Sequence, residues 1–356
     1  MPAMSESTTT APAAVGRTYK DYAKPWYQRL LVNRESAVIA ALIIVIIYAW
    51  TQVPYFAQPI TFTYLLLDIM PILLIALPMT LVIITGEIDL SVASTVGLSS
   101  VILGTLSQAG VPLIAAAVIA LIVGALGGAL NGFLITVVGL PSLAVTIGTL
   151  ALYRGLAVGL LGTTAVTEFD EFWKDLVKSK LFDTPIPTVT VLFVVLAAVF
   201  VFLLHFTPFG RGIFAIGLSP ETARFSGVRV ERSKFILFVL TGTISALAGI
   251  FYTLRFSSAR GDNATGLELA VIAAVLLGGV SIFGGRGAIH GVIAGVLLIG
   301  TLSSALRLAS VTSDVINIIT GVLLVVSVVS TSFLTWLHKK RTKPGRKKTG
   351  STATKG

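Results

Sequence analysis

Few side chains in this sequence could carry out covalent chemistry. The 356 residues include three histidines and no cysteine, which excludes disulfides, thiolate metal sites and cysteine nucleophiles. No His-x-x-x-His or Glu-x-x-His pair offers a metal site, and no Gly-x-x-x-x-Gly-Lys-Ser or -Thr segment offers a nucleotide site. A serine hydrolase in the membrane would need a serine beside a base, for which Ser99 and His290 are the candidates. We interpret both as structural and predict no catalytic residue, metal or cofactor.

Three charged side chains fall within or beside long apolar runs: Asp68, Arg154 and Asp314. A charge at the centre of a bilayer costs about 2.5–3.5 kcal/mol on insertion scales, so each needs a partner or a task. An ion or proton relay would need several acids at mid-depth, which this sequence does not supply. We therefore expect Arg154 to pair with a carboxylate or a carbonyl for structural reasons.

The most informative loop comprises residues 207–233. Within it, Ser219 can cap a helix and Pro220 suits the first helical position. Glu221 favours the positive end of the helix dipole, and Gly227 can end the helix. We predict a two-turn helix here, rigid enough to be a docking surface that transmits a partner's movement into the membrane.

The elements that must position these residues are membrane-spanning helices. Hydrophobic residues make up 55% of the chain and charged residues only 12%, about half the share usual in a soluble domain, and the mean hydropathy is +0.93. An ordinary cytosolic enzyme is therefore disfavoured. We predict an all-α polytopic membrane protein of about ten transmembrane helices, each of which takes about 20 apolar residues. The predicted spans are 36–54, 62–85, 90–108, 112–137, 141–162, 188–206, 234–256, 266–283, 287–306 and 312–337.

The distribution of positive charge predicts the orientation. Most of the 26 Lys and Arg lie near the two ends of the chain and in the 207–233 loop, which the positive-inside rule assigns to the cytoplasm. We predict a cytoplasmic tail at 1–35, a membrane domain at 36–337 and a basic cytoplasmic tail at 338–356. The last tail either lies against anionic lipid headgroups or acts only as a topology signal, and no nucleic acid is expected as a partner. The longest external loop, 163–187, is predicted to contain a short surface helix around 169–178.

Two glycine stripes at four-residue spacing indicate an internal repeat. The stripes are Gly124, Gly128 and Gly132, and Gly287, Gly291 and Gly295. Such a stripe lets two helices approach closely. Each lies in the third crossing of a four-crossing unit, and the two units enter the membrane from opposite sides. We predict an inverted repeat of two four-helix units, an arrangement found in transporters.

Taken together, several segments resemble the permease subunits of bacterial ABC importers of the ribose-type sugar family. Besides the 219–227 helix, they are Gly86-Glu87-Ile88-Asp89-Leu90-Ser91-Val92, Asn131-Gly132, Pro141-Ser142, Thr146-Ile147-Gly148-Thr149, Phe209-Gly210-Arg211, Leu277-Gly278-Gly279 and Gly284-Gly285. The resemblance runs from about residue 60 to about residue 335.

The resemblance implies a non-catalytic transport subunit in the bacterial cytoplasmic membrane. Such a subunit pairs with a second permease, like or unlike, docks two ATPase subunits or domains, and receives its sugar from an extracytoplasmic binding protein. The residues implied to couple to the ATPases are Ser219, Pro220, Glu221, Ala223, Arg224, Ser226 and Gly227. Asp89, Ser91 and Asn131 are implied to lie near the translocation path.

The substrate is less well indicated than the class of protein. The stretch 257–263 is similar to the subgroup that handles rhamnose or the furanosyl autoinducer, and we lean to rhamnose. Three alternatives remain open. An ion-coupled secondary transporter would work without an ATPase, an intramembrane enzyme would depend on Ser99 or His290, and a related branched-chain amino acid permease would differ only in its ligand.

Overall fold

A computed structural model of the chain describes residues 34–323, 325, 326 and 329. Apart from residues 34 and 35, the predicted tails at 1–35 and 338–356 lie outside this part of the chain. The helices, in chain order, are α1 (Arg34–Gln52), α2 (Pro59–Ile84), α3 (Val92–Gln108), α4 (Leu113–Thr136), α5 (Ser142–Leu161), α6 (Glu171–Lys178), α7 (Val189–Phe206), α8 (Pro208–Leu218), α9 (Pro220–Phe225), α10 (Val230–Phe256), α11 (Leu267–Leu277), α12 (Ile289–Leu308) and α13 (Ser313–Leu323).

The predicted all-α polytopic fold is confirmed. Within the described residues, seven helices are long and apolar enough to cross a membrane, namely α1, α2, α4, α5, α7, α10 and α12. The shorter apolar helices α3, α11 and α13 lie within the predicted spans 90–108, 266–283 and 312–337, respectively. The number of crossings, about ten, stays a prediction.

Helix α2 forms the centre of the bundle. From Leu65 to Ile84 nearly all of its side chains are buried, because α7, α10, α11 and α12 pack around it. A helix that is apolar on all sides is suited to such a position. By contrast, α1, α4, α5 and α7 bury only 17–28% of their most apolar stretch and present the rest outward.

The first glycine stripe brings α4 and α10 into backbone contact. A Cβ atom added to Gly128 would lie 2.2 Å from the Phe238 carbonyl oxygen, and one added to Gly124 would lie 2.6 Å from that of Gly242. In return, a Cβ on Gly242 would lie 2.2 Å from the Gly124 carbonyl oxygen. The close approach predicted from the stripe is therefore confirmed.

Two glycines of the second stripe pack α12 onto the end of α11, whereas the third, Gly287, lies before α12 in the 278–288 loop. A Cβ atom on Gly291 would lie 2.2 Å from the Gly278 carbonyl oxygen, and one on Gly295 would lie 2.4 Å from that of Ala274. Helix α10 packs on α2, α3 and α4, whereas α2 packs on α10, α11 and α12. If the two proposed units exchange places, α2, α3 and α4 are replaced by α10, α11 and α12. The contacts of α10 then become the contacts of α2, as an inverted repeat requires. The repeat itself stays a prediction.

The 163–187 loop contains the predicted surface helix. Helix α6 begins after Asp170, whose carboxylate accepts a hydrogen bond from the Phe172 amide at 2.9 Å. An antiparallel bridge between Val166 and Ala259 joins this loop to the 257–266 loop. These two loops form one end of the bundle, opposite the end that carries α8 and α9, which we call the α9 end.

Candidate functional site

The predicted helix in the 207–233 loop forms as expected and has a second helix before it. Helix α8 starts at Thr207, whose hydroxyl accepts a hydrogen bond from the Gly210 amide at 3.1 Å. Helix α9 starts at Ser219, whose hydroxyl oxygen accepts from the amide of Thr222 at 3.2 Å and from its hydroxyl at 3.0 Å. Pro220 occupies the first turn with Glu221. Gly227, with φ of +82°, follows the helix and donates its amide to the Arg224 carbonyl at 2.9 Å.

One face of α9 is anchored and the other is free. Ala223 is buried in a small apolar cluster with Ile216 of α8 and Val230 of α10. Pro220, Glu221, Arg224, Ser226 and Gly227 are exposed, and Ser219 is partly exposed. Phe225, the last residue of the capped helix, has 93% of its surface exposed. The inner face of α9 is therefore anchored to α8 and α10, and its outer face is exposed.

Arg224 also has an intramolecular role that the sequence analysis missed. Its guanidinium forms an ion pair with the Glu231 carboxylate in the first turn of α10. The pair therefore ties α9 to α10. The signal in the sequence was the opposite charge of Glu231, seven residues after Arg224. The two side chains can meet only because the turn at Gly227 brings α9 and α10 together.

Gly217 connects α8 to the helix bundle. A Cβ atom on Gly217 would lie 1.9 Å from the Ile84 carbonyl oxygen and 2.3 Å from the Gly285 nitrogen. The Gly285 amide donates to the same Ile84 carbonyl at 2.8 Å. The ends of α8 and α2 and the 278–288 loop thus meet through backbone groups. Any displacement of α8 must therefore move the end of the central helix or break this contact.

The three residues predicted to lie near the path form one hydrogen-bonded cluster. The Asp89 carboxylate accepts hydrogen bonds from the Ser91 amide at 2.9 Å and from its hydroxyl at 2.6 Å. The Asn131 amide group donates to the Ser91 hydroxyl oxygen at 2.8 Å. All three side chains are buried, and the Asn131 Oδ1 atom has no hydrogen-bond partner within the described part of the chain.

The segment 85–91, which carries this cluster, is tied to two further helices. The Ile88 amide donates to the Ser142 hydroxyl oxygen at 3.3 Å, and its carbonyl accepts from the Thr146 hydroxyl at 3.3 Å. Glu87 forms an ion pair with Lys234 of α10, and both side chains are largely buried. The segment is thus held by α5 on one side and by α10 on the other.

A groove of about 240 Å³ lies between α3, α4 and α5, next to the polar cluster. Its lining is Thr95, Leu98, Ser99, Val123, Gly124, Leu126, Gly127, Leu130, Leu152, Tyr153 and Leu156. Thr95 joins groove and cluster, because its hydroxyl donates to the Ser91 carbonyl at 3.0 Å. The groove is lined mainly by small and apolar groups, and its outer rim consists of exposed leucines.

Arg154 pairs with carbonyl groups, as predicted. Its guanidinium donates to the carbonyl oxygens of Gly261 at 2.7 Å, Asn263 at 2.8 Å and Ala93 at 3.3 Å. It therefore holds the 257–266 loop against α3. In that loop, two hydrogen bonds from Arg260 keep the pKa of the Asp262 carboxyl below its usual value.

Asp68 lies near the same end of the bundle and pairs with two arginines. Its carboxylate is 3.2 Å from Arg255 of α10 and 3.9 Å from Arg307 of α12. The third charge singled out from the sequence, Asp314, is exposed in the first turn of α13.

The structure does not bring Ser99 and His290 together. The Ser99 hydroxyl donates to the Val96 carbonyl at 3.0 Å, whereas the His290 ring lies 3.3 Å from the Glu35 carboxylate. Within the described residues, no group of three His, Asp or Glu side chains could hold a metal ion.

These features define a class of protein. A polytopic helical bundle, with a capped helix exposed at one end and a buried polar cluster beside a groove, has the organisation of a membrane transport component. A family model described as "Branched-chain amino acid transport system / permease component" matches residues 60–328, and the chain belongs to this permease family.

Curated relatives agree with this assignment and extend it. The chain is 38% identical over 280 residues to "Autoinducer 2 import system permease protein LsrD" of Photorhabdus luminescens, covering 77% of this chain and 84% of the relative. The protein of the same name from Yersinia enterocolitica is 37% identical over 287 residues, covering 77% and 86%. That from Escherichia coli O157:H7 is 36% identical over 321 residues, covering 88% and 96%. No solved structure matches the chain.

The relatives confirm the resemblance to importer permeases but give no support to rhamnose. The name that they carry refers to autoinducer 2.

Proposed function

We propose that this chain is the permease subunit of an ATP-binding cassette importer for a furanosyl sugar of the autoinducer 2 type. The family and the names of the relatives support the class and the substrate. The structural observation that carries the proposal is the backbone contact of Gly217 with Ile84 and Gly285. It connects the exposed helix α9 to the centre of the bundle, as a subunit driven by an external ATPase requires.

In this proposal, the exposed face of α9 docks an ATPase subunit or domain. Glu221 and Phe225 lie on that face, while Ser219, Ala223 and Gly227 fix the shape and position of the helix. Closure of the ATPase pair on ATP displaces α9, and Gly217 passes the displacement to α2. ATP can drive transport only because its binding free energy differs between the two conformations of the complex.

We further propose that the groove between α3, α4 and α5 forms one wall of the path. Its exposed leucine rim suits contact with a second permease subunit, whose own groove would complete the path. Asp89, Ser91 and Asn131 lie at the α9 end of this groove. The Asn131 Oδ1 atom is buried and has no partner within the described residues, so a change of conformation that opens this end of the groove would free it to accept a hydrogen bond from a hydroxyl of the passing sugar.

The proposed orientation places both termini and α9 in the cytoplasm of a bacterial cytoplasmic membrane. The tails at 1–35 and 338–356 then lie on the side of the ATPases. The opposite end, with the 163–187 and 257–266 loops, faces the extracytoplasmic binding protein. Arg154 supports that surface by holding the 257–266 loop in place.

A mild-detergent pull-down of the tagged chain tests the coupling role. We expect an ATPase to co-purify, and we expect Glu221→Arg combined with Arg224→Glu to abolish both its recovery and uptake while expression stays normal. The matched control for ATPase recovery reverses an ion pair on the surface helix at the other end, Glu171→Arg with Lys174→Glu. Unchanged ATPase recovery and uptake in the α9 variant would refute the coupling role.

The same preparation distinguishes the alternative functions. A co-purified binding protein that prefers a branched-chain amino acid over sugars would favour the second candidate, which the description of the family model supports. Transport by the chain alone in vesicles, without ATP and sensitive to the membrane potential, would identify an ion-coupled carrier instead.

A further inference from the structure

Two prolines interrupt the hydrogen bonding of the central helix α2. Within the described helices, Pro71 and Pro78 are the only prolines beyond a first turn, and both are buried. Proline has no amide hydrogen, so the carbonyl groups of Leu67 and Leu74 lack their usual helical donor. The prolines are seven residues apart, close to two turns of about 3.6 residues each, so both gaps lie on one face. Helices bend sharply mainly at prolines, and two gaps on one face favour one direction of bending.

The part of α2 before these prolines is held to two neighbouring helices. The Asp68 carboxylate lies 3.2 Å from Arg255 of α10 and 3.9 Å from Arg307 of α12. The Arg255 guanidinium also lies over the Tyr64 ring of α2, 5.3 Å from its centroid. The end of α2 opposite α9 is therefore fixed by charge and ring contacts.

The other end of α2 meets the elements on the α9 side. Ile84 is the last residue of α2, and its carbonyl accepts a hydrogen bond from the Gly285 amide and touches Gly217 of α8. The 85–91 segment follows directly and carries Asp89 of the polar cluster. A displacement of Ile84 is therefore passed to the polar cluster beside the groove.

The contacts of the 85–91 segment suit such a displacement. The two hydrogen bonds that join it to α5 are 3.3 Å long, above the usual range, and are easily exchanged. Glu87 pairs with Lys234 near the start of α10, the same end of α10 to which Glu231 ties Arg224 of α9. The segment is thus attached more firmly to the elements on the α9 side than to α5.

We propose that Pro71 and Pro78 form a hinge in α2 that opens the α9 end of the groove. Asp68 keeps the outer part of the helix in place, while α8 displaces the inner part through Ile84. The inner part swings about the two prolines and carries the 85–91 segment with it, which opens the polar cluster to the passing sugar. This inference rests on the proposed function, because it assigns the step between the movement of α9 and the opening of the path.

Replacement of each proline by alanine restores the missing amide and tests the hinge. Pro71→Ala and Pro78→Ala each allow one further helical hydrogen bond and should stiffen α2. We expect ATP-driven uptake by the full complex to fall about fivefold, the factor expected for one net hydrogen bond, while the ATPase still co-purifies. Pro59→Ala is the matched control and should leave uptake unchanged, because the first residue of a helix has no intrahelical acceptor for its amide.

Glycine at the same position separates a hinge from a packing role. Pro78→Gly also restores the amide, but glycine keeps the helix easy to deform. The hinge therefore predicts more uptake by Pro78→Gly than by Pro78→Ala. Loss of buried volume alone predicts the reverse, because glycine leaves the larger cavity. Uptake by Pro78→Gly equal to or below that of Pro78→Ala would overturn the hinge.

A cysteine reporter follows the opening itself. The chain has no cysteine, so Thr95→Cys in the groove gives a single site for a maleimide. Thr95 is only 4% exposed, so labelling should be slow at rest and should rise during ATP turnover. Pro71→Ala and Pro78→Ala should lose most of this rise, and Pro59→Ala should keep it. An undiminished rise in both of the first two variants would refute the hinge alone, whereas no rise with the native prolines would refute ATP-driven opening and the proposed function with it.

Discussion

Gly217 and Ile84 touch through their backbones: a Cβ atom at Gly217 would lie only 1.9 Å from the Ile84 carbonyl oxygen. The contact joins α8 to the end of the central helix. The same Ile84 carbonyl accepts a hydrogen bond from Gly285, so three segments of the chain meet at this oxygen. No larger residue fits at position 217 without separating them.

We expect Gly217→Ala to uncouple the subunit. The added methyl group should push α8 away from α2 at a cost of about 1–3 kcal/mol, as overpacking typically does. The ATPase should still co-purify, because the exposed face of α9 is untouched, but uptake should fall strongly. ATPase recovery and sugar uptake, measured on one preparation, check this. Gly159→Ala is the control, since nothing lies within 4 Å of a Cβ at Gly159; normal uptake by Gly217→Ala would contradict the proposed link.

The packing of α4 on α10 predicts a stability difference between two glycines. Gly128→Ala places a Cβ atom 2.2 Å from the Phe238 carbonyl oxygen and should lower the melting temperature in detergent by roughly 2–6 °C. Gly155→Ala meets nothing within 4 Å and should be neutral or stabilising, because alanine is the better helix former. Thermal unfolding of the two purified variants checks the difference, and equal melting temperatures would show that the α4–α10 contact is looser than described.

The Arg224–Glu231 pair predicts that Arg224 acts by positioning α9. Both side chains are about half exposed, so Arg224→Glu should change stability by less than about 1 kcal/mol while it reduces uptake. The exchanged variant, Arg224→Glu with Glu231→Arg, should restore much of the uptake. If the exchange restores neither ATPase recovery nor uptake although its stability is normal, Arg224 contacts the partner directly.

The Glu87–Lys234 pair should be important for stability. The two side chains are only 17% and 16% exposed, so Lys234→Met leaves a carboxylate largely buried without its partner. We expect a loss of about 3 kcal/mol, at the low end of the range for buried pairs. The double variant Glu87→Gln with Lys234→Met should be more stable than Lys234→Met alone. A double-mutant cycle of unfolding free energies measures the coupling, and additive effects would mean that the two groups do not interact.

Local features of the fold were predictable from the sequence. Each cap of α9 joins two residues only three positions apart, Ser219 with Thr222 at the start and Arg224 with Gly227 at the end. Ser219, Pro220 and Gly227 therefore indicated the helix from local sequence alone. The surface helix α6 was predictable for the same reason. The glycine stripes predicted close helix contacts because small residues at four-residue spacing lie on one face of a helix.

Long-range relationships were not predictable in the same way. The burial cost of a guanidinium indicated that Arg154 needs a partner, but the Gly261 carbonyl that it meets is 107 residues away. The pairs of Glu87 with Lys234 and of Asp68 with Arg255 span 147 and 187 residues. Asp89, Ser91 and Asn131 were singled out from a family resemblance, and the hydrogen bond from Asn131 to Ser91, 40 residues apart, depends on how α3 and α4 pack.

The enclosure of α2 has a consequence for how the protein is made. The ribosome synthesises α2 early in the chain. The helices that surround it emerge more than a hundred residues later; they are α7, α10, α11 and α12. During that interval α2 must reside in lipid or beside the insertion machinery, which its apolar circumference permits. The helix bundle is therefore completed only near the end of synthesis. In a chain truncated before α10, α2 would lack three of the helices that surround it and would remain exposed to lipid.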